Sequence, residues 1–424
     1  MSFWIFAVAA LTAMAISAQD RLTLREAEEI ALKNNPQVET ARLSAEAAGY
    51  GPALARSPLR PQVAAGLHSL ASQDSARLTG GGFTNPLLIS RVGFGIGLNQ
   101  LLTDFGRTRL LEQSAISRAK AESAYAIGVR AFTILSVRQA FFAALRAQAV
   151  LRVAEETVKA RTLVVEQIRA LADAKLRSGL DLSFVEVGLS EAMLVLASVQ
   201  NERDAAFADL ANAMGLGTPR EFELIYQTPM PDGLELSTEL LAEATGNRPD
   251  LSARKLEAAA AEQLAQAEQK LDRPMVSATG AAGYSPLHNK QLARDEYIAG
   301  GLSITLPILS GGAFKARQAE ALVRFRAAES RVRELENRIS RDISVAQLNM
   351  RTAKQRIDLT RQLQRQAVQA LDLAQARYDL GLSSIVELSQ AQLTKLQAEI
   401  QGAAAAFDYQ LQHSLLEFHV GRLR

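Results

Sequence analysis

The sequence predicts a mostly α-helical chain with a transmembrane β part. Long α-helical hairpins form two copies of one unit, and four β-strands per chain complete a 12-stranded β-barrel when three copies associate. Three observations predict this. The chain repeats itself at an offset just over 200 residues, four short segments alternate with period two, and two proline-free helical stretches run for about 70 residues each.

Composition sets the frame. The 424 residues include 47 Lys+Arg and 45 Asp+Glu, a net charge of +2, which argues against a polybasic nucleic-acid binder. Hydrophobic residues make up 48%, too many for a disordered chain. Aromatics are only 5%. Alanine, at roughly one residue in six, takes their place. Small side chains suit long helices in close contact. The absence of cysteine excludes disulfides, thiolate zinc sites, thiol catalysis and a lipid-modified N-terminal cysteine.

Residues 1–18 carry no charged side chain and end in Ile16-Ser17-Ala18. That reads as the apolar region and small-residue cleavage site of a secretory signal. The signal pattern lacks one feature, a Lys or Arg before the apolar run. The competing reading is a retained membrane helix, since about 18 uncharged residues are borderline long enough to span a bilayer.

The duplication is visible in proline pairs. Asn35-Pro36 matches Arg248-Pro249, and Arg60-Pro61 matches Arg273-Pro274, both at an offset of 213. An Ala-rich helical stretch lies between each pair. A Gly-rich, nearly uncharged region follows, closing on Asp104-Phe105-Gly106 in the first copy and Ser310-Gly311-Gly312 in the second. Two turns then align, with Gly179-Leu180 set against Gly381-Leu382. Phe184-Val185-Glu186 follows one turn, and Ile385-Val386-Glu387 the other. The expected organisation is a signal at 1–18, a first repeat at 19–214, a linker at 215–247 and a second repeat at 248–424. The strand pairs fall at about 62–102 and 275–309, and the hairpin tips at about 176–184 and 378–385. The linker holds Pro219, Pro229 and Pro231, with a short helix near Leu236–Thr245.

Strand periodicity is clearest in Ile298, Gly300, Leu302, Ile304 and Leu306, set against Ala299, Gly301, Ser303 and Thr305. Val92, Phe94, Ile96 and Leu98 alternate with glycines and Asn99. Val63, Ala65 and Leu67 form a third set, and Val276, Ala278 and Tyr284 a fourth. Each segment is about the 9–11 residues that a tilted strand needs to cross a bilayer. A half-buried soluble sheet would alternate in the same way. The export signal and the flanking helices favour the membrane. Four strands cannot close a barrel alone, and an open edge in lipid leaves backbone groups unpaired. Three copies give twelve strands. The loops Ser69–Pro86 and Pro286–Glu296 join each pair and are polar and Gly-rich.

The helical stretches run about Thr103–Leu176 and Gly312–Asp379. At ~1.5 Å per residue they reach on the order of 100 Å. Return helices start near Leu182 and Ser384 and run to about Met214 and Phe418. Charges of both signs alternate along them, as on a solvated coiled-coil face.

The ordered set is recognisable. Leu24-Arg25-Glu26-Ala27, Asn34-Asn35-Pro36, a strand pair, Asp104-Phe105-Gly106 and a long hairpin precede Asn247-Arg248-Pro249-Asp250-Leu251 and Ser310-Gly311-Gly312. It resembles the TolC-like outer-membrane efflux protein family over essentially the whole mature chain. The resemblance implies a homotrimer in the outer membrane of a Gram-negative bacterium, extending into the periplasm as an α-barrel. It implies an exit duct for a tripartite pump, with a periplasmic adaptor and an inner-membrane transporter as partners. Adaptor docking would fall at the hairpin-tip turns, around Gly179 and Gly381.

The resemblance also points to an aperture at those tips. Glu387 matches an acidic position there, Gln390 stands at a second acidic position, and Ser383 at a basic one. Tyr378 matches an aromatic at the turn. Glu186 and Asp181 are further acidic candidates. A threefold ring of carboxylates would favour cations. The plainer reading of Glu387 is a helix-start carboxylate favoured by the dipole. His68, His288, His413 and His419 share no ligand spacing, and no nucleophile is partnered by a base, so neither cofactor, metal nor enzyme chemistry is expected. Seven methionines without a cluster give no support to copper export. Small-molecule efflux is the first expectation for cargo, with type I protein secretion as the alternative. A soluble periplasmic coiled-coil adaptor would share the hairpins but not the strands.

Overall fold

The computed structural model describes residues 21–71, 91–218, 222–226, 238–286 and 295–423. The expected signal, most of both strand-joining loops, the three linker prolines and His288 lie outside the described residues. The elements, in chain order, are β1 (Arg21–Thr23), α1 (Leu24–Asn34), α2 (Pro36–Gly49), α3 (Gly51–Arg56), β2 (Gln62–Leu70), β3 (Arg91–Thr103), α4 (Arg107–Asp173) and α5 (Gly179–Ala213). The second half holds β4 (Glu223–Ile225), α6 (Thr238–Asn247), α7 (Pro249–Glu268), β5 (Met275–Tyr284), β6 (Glu296–Thr305), α8 (Ala313–Asp379) and α9 (Ile385–Val420). The chain divides into two compact units. One draws on 21–42, 126–249 and 336–423, the other on 43–125 and 250–335.

The second of these units holds a four-stranded antiparallel sheet in the order β2-β3-β5-β6. Its register joins the four apolar sets into one face. Leu67 lies opposite Phe94, which lies opposite Tyr284; Ala65, Ile96, Ala282 and Ile298 form the next row. Direct cross-strand partners share a face, so the rows are continuous. The Phe94 and Tyr284 rings sit 5.9 Å apart. This face is open: Ile298 is 89% exposed, and Leu302 and Ile304 are 72% exposed. The opposite face is small, and the Tyr297 hydroxyl lies over Gly95 and Gly283, where a side chain would collide with it. β6 stops at Thr305 rather than including Leu306, because Pro307 has no N–H for the ladder and restrains the residue before it.

α4 starts at Arg107, four residues later than the sequence suggests. Phe105 and Gly106 take left-handed φ of 56° and 88°. The Asp104 carboxylate then accepts the N–H of Gly106 at 3.2 Å and that of Thr108 at 2.7 Å, which caps the helix. Gly311 and Gly312, at φ 58° and 85°, set the start of α8 in the same way. Glu268 closes α7 between the two helix starts. It binds Arg107 and Arg317 at 3.0 Å each, and its side chain is only 8% exposed.

In the other unit, α1 begins with a capping box. Thr23 Oγ1 accepts the Glu26 N–H at 3.3 Å, and Glu26 accepts the Thr23 N–H at 2.9 Å. The backbone and then the hydroxyl of Thr23 hold the Glu26 carboxyl below its ordinary value. Pro36 ends α1 and begins α2. β1 pairs in parallel with β4, so the linker contains a strand as well as α6. That pairing joins residues about 200 positions apart and left no local signal. A core in this unit gathers Leu22 and Ala27 with Phe141, Phe142, Phe207, Leu210 and Met214.

α4 and α8 are each 67 residues long. Landmarks of the second copy recur 206 residues after the first. They include the left-handed pairs before each helix, the N-caps Ser178 and Ser384, and the left-handed Gly215 and Gly421.

Candidate functional site

The expected aperture residues all lie at the two hairpin turns, within the unit that holds α5 and α9. The first turn leaves α4 through Lys175 at φ 60°, with the Leu176 N–H bonded to the Leu171 carbonyl at 2.8 Å. The second leaves α8 through Gly381 at φ 72°, with the Leu382 N–H on the Arg377 carbonyl at 2.8 Å. Both are glycine-type helix stops, one built on lysine. The structural partner of Gly381 is therefore Lys175. Gly179 is instead the first residue of α5. A left-handed lysine carries no composition signal, which is why the sequence aligns the wrong glycine.

The same shift reassigns the acids. Ser178 caps α5, with Asp181 closing the box at 3.1 Å and 3.3 Å. Ser384 caps α9, accepting the Glu387 N–H at 3.4 Å. Asp181 and Glu387 hold the same third helical position, and Glu186 lies beyond it. Each acid has a local contact. Glu387 pairs with Arg377 at 3.3 Å, and Glu186 with Arg169 at 2.8 Å. Gln390 is exposed one turn further along α9.

Tyr378 is 3% exposed, packed among Val165, Ile168, Val185, Ala374, Ile385 and Leu388. Arg177 reaches it from the first turn. The guanidinium sits 4.3 Å from the ring centroid and donates to the Tyr378 carbonyl at 3.2 Å. This cation–π contact ties the two hairpin ends. Arg177 holds the position that Ser383 holds in the second turn, so a basic residue is present, but on the other hairpin. Burial and the Asp181 carboxylate push the Tyr378 phenol above its ordinary value, against the Arg177 charge. Among the described residues the Tyr378 hydroxyl and Ser383 Oγ are buried without a partner.

A second polar cluster, not expected from sequence, lies farther along the same helices. Arg138 of α4 joins Glu28 of α1 at 2.6 Å and Glu417 of α9 at 2.5 Å. His413 Nδ1 lies 3.8 Å from Glu417. Burial pushes the His413 imidazole below its ordinary value. Glu417 opposes that shift, while Arg138 and Arg422 add to it. His68 stands apart on β2, and among the described residues no group of three or more His, Asp or Glu could hold a metal.

This hairpin-and-sheet arrangement is found in known proteins. Outer membrane protein TolC of Salmonella enteritidis is 23% identical over 417 residues, covering 95% of this chain and 83% of that protein. The crystal structure of a membrane protein from Pseudomonas aeruginosa superposes with a TM-score of 0.82 at 21% identity, covering 96% of this chain and 93% of that one. The CmeC outer membrane channel of Campylobacter jejuni gives 0.81 at 16% identity, with 94% and 85% covered. The outer membrane efflux protein family model matches residues 29–216 and 240–422, both halves of the duplication. The chain belongs to the outer membrane efflux protein family, and its place is the outer membrane.

Proposed function

We propose that the chain is one third of a trimeric exit duct that carries substrates from the periplasm, or directly from an inner-membrane transporter, to the outside as part of a tripartite efflux pump. The observation that carries this is the sheet. It has a continuous exposed apolar face, and β2 and β6 stand at its two edges. Strand direction alternates across it, so β6 of one copy meets β2 of the next antiparallel. Closure removes edges that lipid cannot satisfy, and three copies give twelve strands. α5 adds support. Leu180, Val187 and Leu194 recur every seven residues and are 65%, 57% and 74% exposed, a stripe suited to a neighbouring helix.

The repeats at 19–214 and 248–424 each supply two strands and one hairpin to this duct. The hairpin turns around Gly179 and Gly381 dock a periplasmic adaptor. Glu387 and Asp181, at equivalent helix starts, with Glu186 and Gln390 beyond them, line an aperture that Arg177 and Tyr378 help to hold together. Small-molecule efflux is the cargo reading, and type I secretion uses the same duct. Planar-bilayer recording of the purified protein, with cross-linking to count subunits, tests the proposal. Small cation-selective conductances from a trimer are expected. A monomer that stays soluble without detergent and never conducts overturns it.

A further inference from the structure

A recess of about 370 Å³ opens between α4, α7 and α8, inside the unit that holds the sheet. Arg118 of α4, Arg254 of α7, and Arg324 and Arg331 of α8 line it over a floor of alanines. Glu257 is its acidic lining residue. Glu257 pairs with Arg254 at 2.7 Å, and Glu320, one turn before Arg324, pairs with that arginine at 2.6 Å. Arg118 and Arg331 make no ion pair or hydrogen bond among the described residues. Two guanidinium charges therefore remain uncompensated at one recess, whose volume lies in the range of small-molecule sites. Apolar walls around a net positive charge strengthen the local potential.

The duplication argues against an ordinary solvated face. Arg118 and Arg324 occupy the same position in the two long helices, 206 residues apart. The other two arginines do not recur. The first-copy counterpart of Arg331 is Tyr125, and that of Arg254, at the α7 offset of 213, is Ala41. Positive charge has gathered at one of two equivalent places. Arg324 and Arg331 are two turns apart on one stripe of α8, facing the stripe of α7 that carries Arg254 and Glu257.

We propose that this recess binds a small soluble anion bearing two or more phosphate or carboxylate charges. Arginine forks match both groups. Arg118 and Arg324 lie eleven residues into α4 and α8, about 17 Å from the helix starts that adjoin the strands. On the membrane reading of the sheet, that distance separates the recess from a lipid headgroup, so the occupant is a solute.

Calorimetric titration of the detergent-solubilised protein with inorganic pyrophosphate at low ionic strength tests this, and it does not depend on channel activity. Saturable binding is expected. Arg118→Gln with Arg331→Gln should weaken it by about tenfold or more, because charge-assisted bonds carry the contact. Glu257→Gln, which frees Arg254, should tighten it. Absence of saturable heat, or equal affinity in the native protein and a folded double variant, overturns the proposal. If the double variant fails to fold, a lack of tightening in Glu257→Gln does so. Repeating the titration in phosphatidylglycerol and phosphatidylcholine nanodiscs separates the sources. Equal affinities support a solute, and loss of binding in phosphatidylglycerol alone assigns the recess to a lipid phosphate instead.

Discussion

A Cβ on Gly215 would lie 2.8 Å from the carbonyl oxygen of Asn34. The same relationship recurs in the second copy, where a Cβ on Gly421 would lie 3.1 Å from the backbone nitrogen of Arg248. Each return helix thus ends in a left-handed glycine, at φ 73° and 83°, pressed against the junction before its repeat's proline. Gly215→Ala combines left-handed strain with a backbone clash, and we expect a loss on the order of 1–3 kcal/mol. Gly421→Ala should behave alike, less severely because its contact is looser. Thermal melting of the solubilised protein checks both, and unchanged midpoints would contradict the packing.

Glu268 is nearly buried and joins the starts of α4 and α8 through Arg107 and Arg317. Glu268→Gln leaves both arginines without a counter-charge. Arg317 is half exposed, so water offsets part of the loss; we expect about 1–3 kcal/mol. Denaturant midpoints measure it, and Glu268→Asp should recover little because the shorter arm cannot reach both partners.

Leu302 stands on the apolar face and is 72% exposed. If that face meets lipid, Leu302→Arg should cost about 2–4 kcal/mol per site near the bilayer centre and reduce the yield of membrane-inserted protein. Ser303→Arg, one residue along and on the small face, should be better tolerated. Equal yields of both variants would remove the membrane assignment of that face.

Glu387 is half exposed and paired with Arg377 at 3.3 Å. Glu387→Gln removes a carboxylate and releases that guanidinium. In an aperture the reversal potential should move away from cation preference. Single-channel recording in asymmetric salt reads the shift, and an unchanged potential would place Glu387 off the conduction path.

His413 faces Glu417 of its own helix, with Arg138 of α4 joining Glu417 to Glu28, and Arg422 paired to Glu243 of α6. Its folded-state pKa is depressed, so the unfolded chain takes up the proton first. Stability from this group is therefore full above the ordinary histidine range and falls as pH drops below about 6.5. Melting from pH 8 to pH 5 should show the fall, and His413→Gln should blunt it. A variant with the same pH slope would assign the acid sensitivity elsewhere.

What was legible in the sequence is what local physics writes there. Alternation at Val63, Phe94, Ala278 and Leu302 marks the strands, because side chains on a strand alternate faces whatever lies around them. Asn35-Pro36 and Arg248-Pro249 mark both helix junctions, because proline restrains its own backbone and that of the residue before it. Family membership was readable from the order of such signals in duplicate. Only the tertiary structure decided which residues meet. It set Lys175, not Gly179, against Gly381, because a left-handed turn can be held by hydrogen bonds without glycine at its centre. That moved Asp181 into the place opposite Glu387 and brought Arg177 over Tyr378. It paired β1 with β4, placed Glu268 between two arginines, and gathered Arg118 with Arg331. Lys175 and Gly381, like Asp181 and Glu387, are equivalent positions of the two repeats. The other pairings join residues far apart in the chain, whose encounter depends on helix phase and strand register summed over the whole path, and no short window of sequence carries that sum.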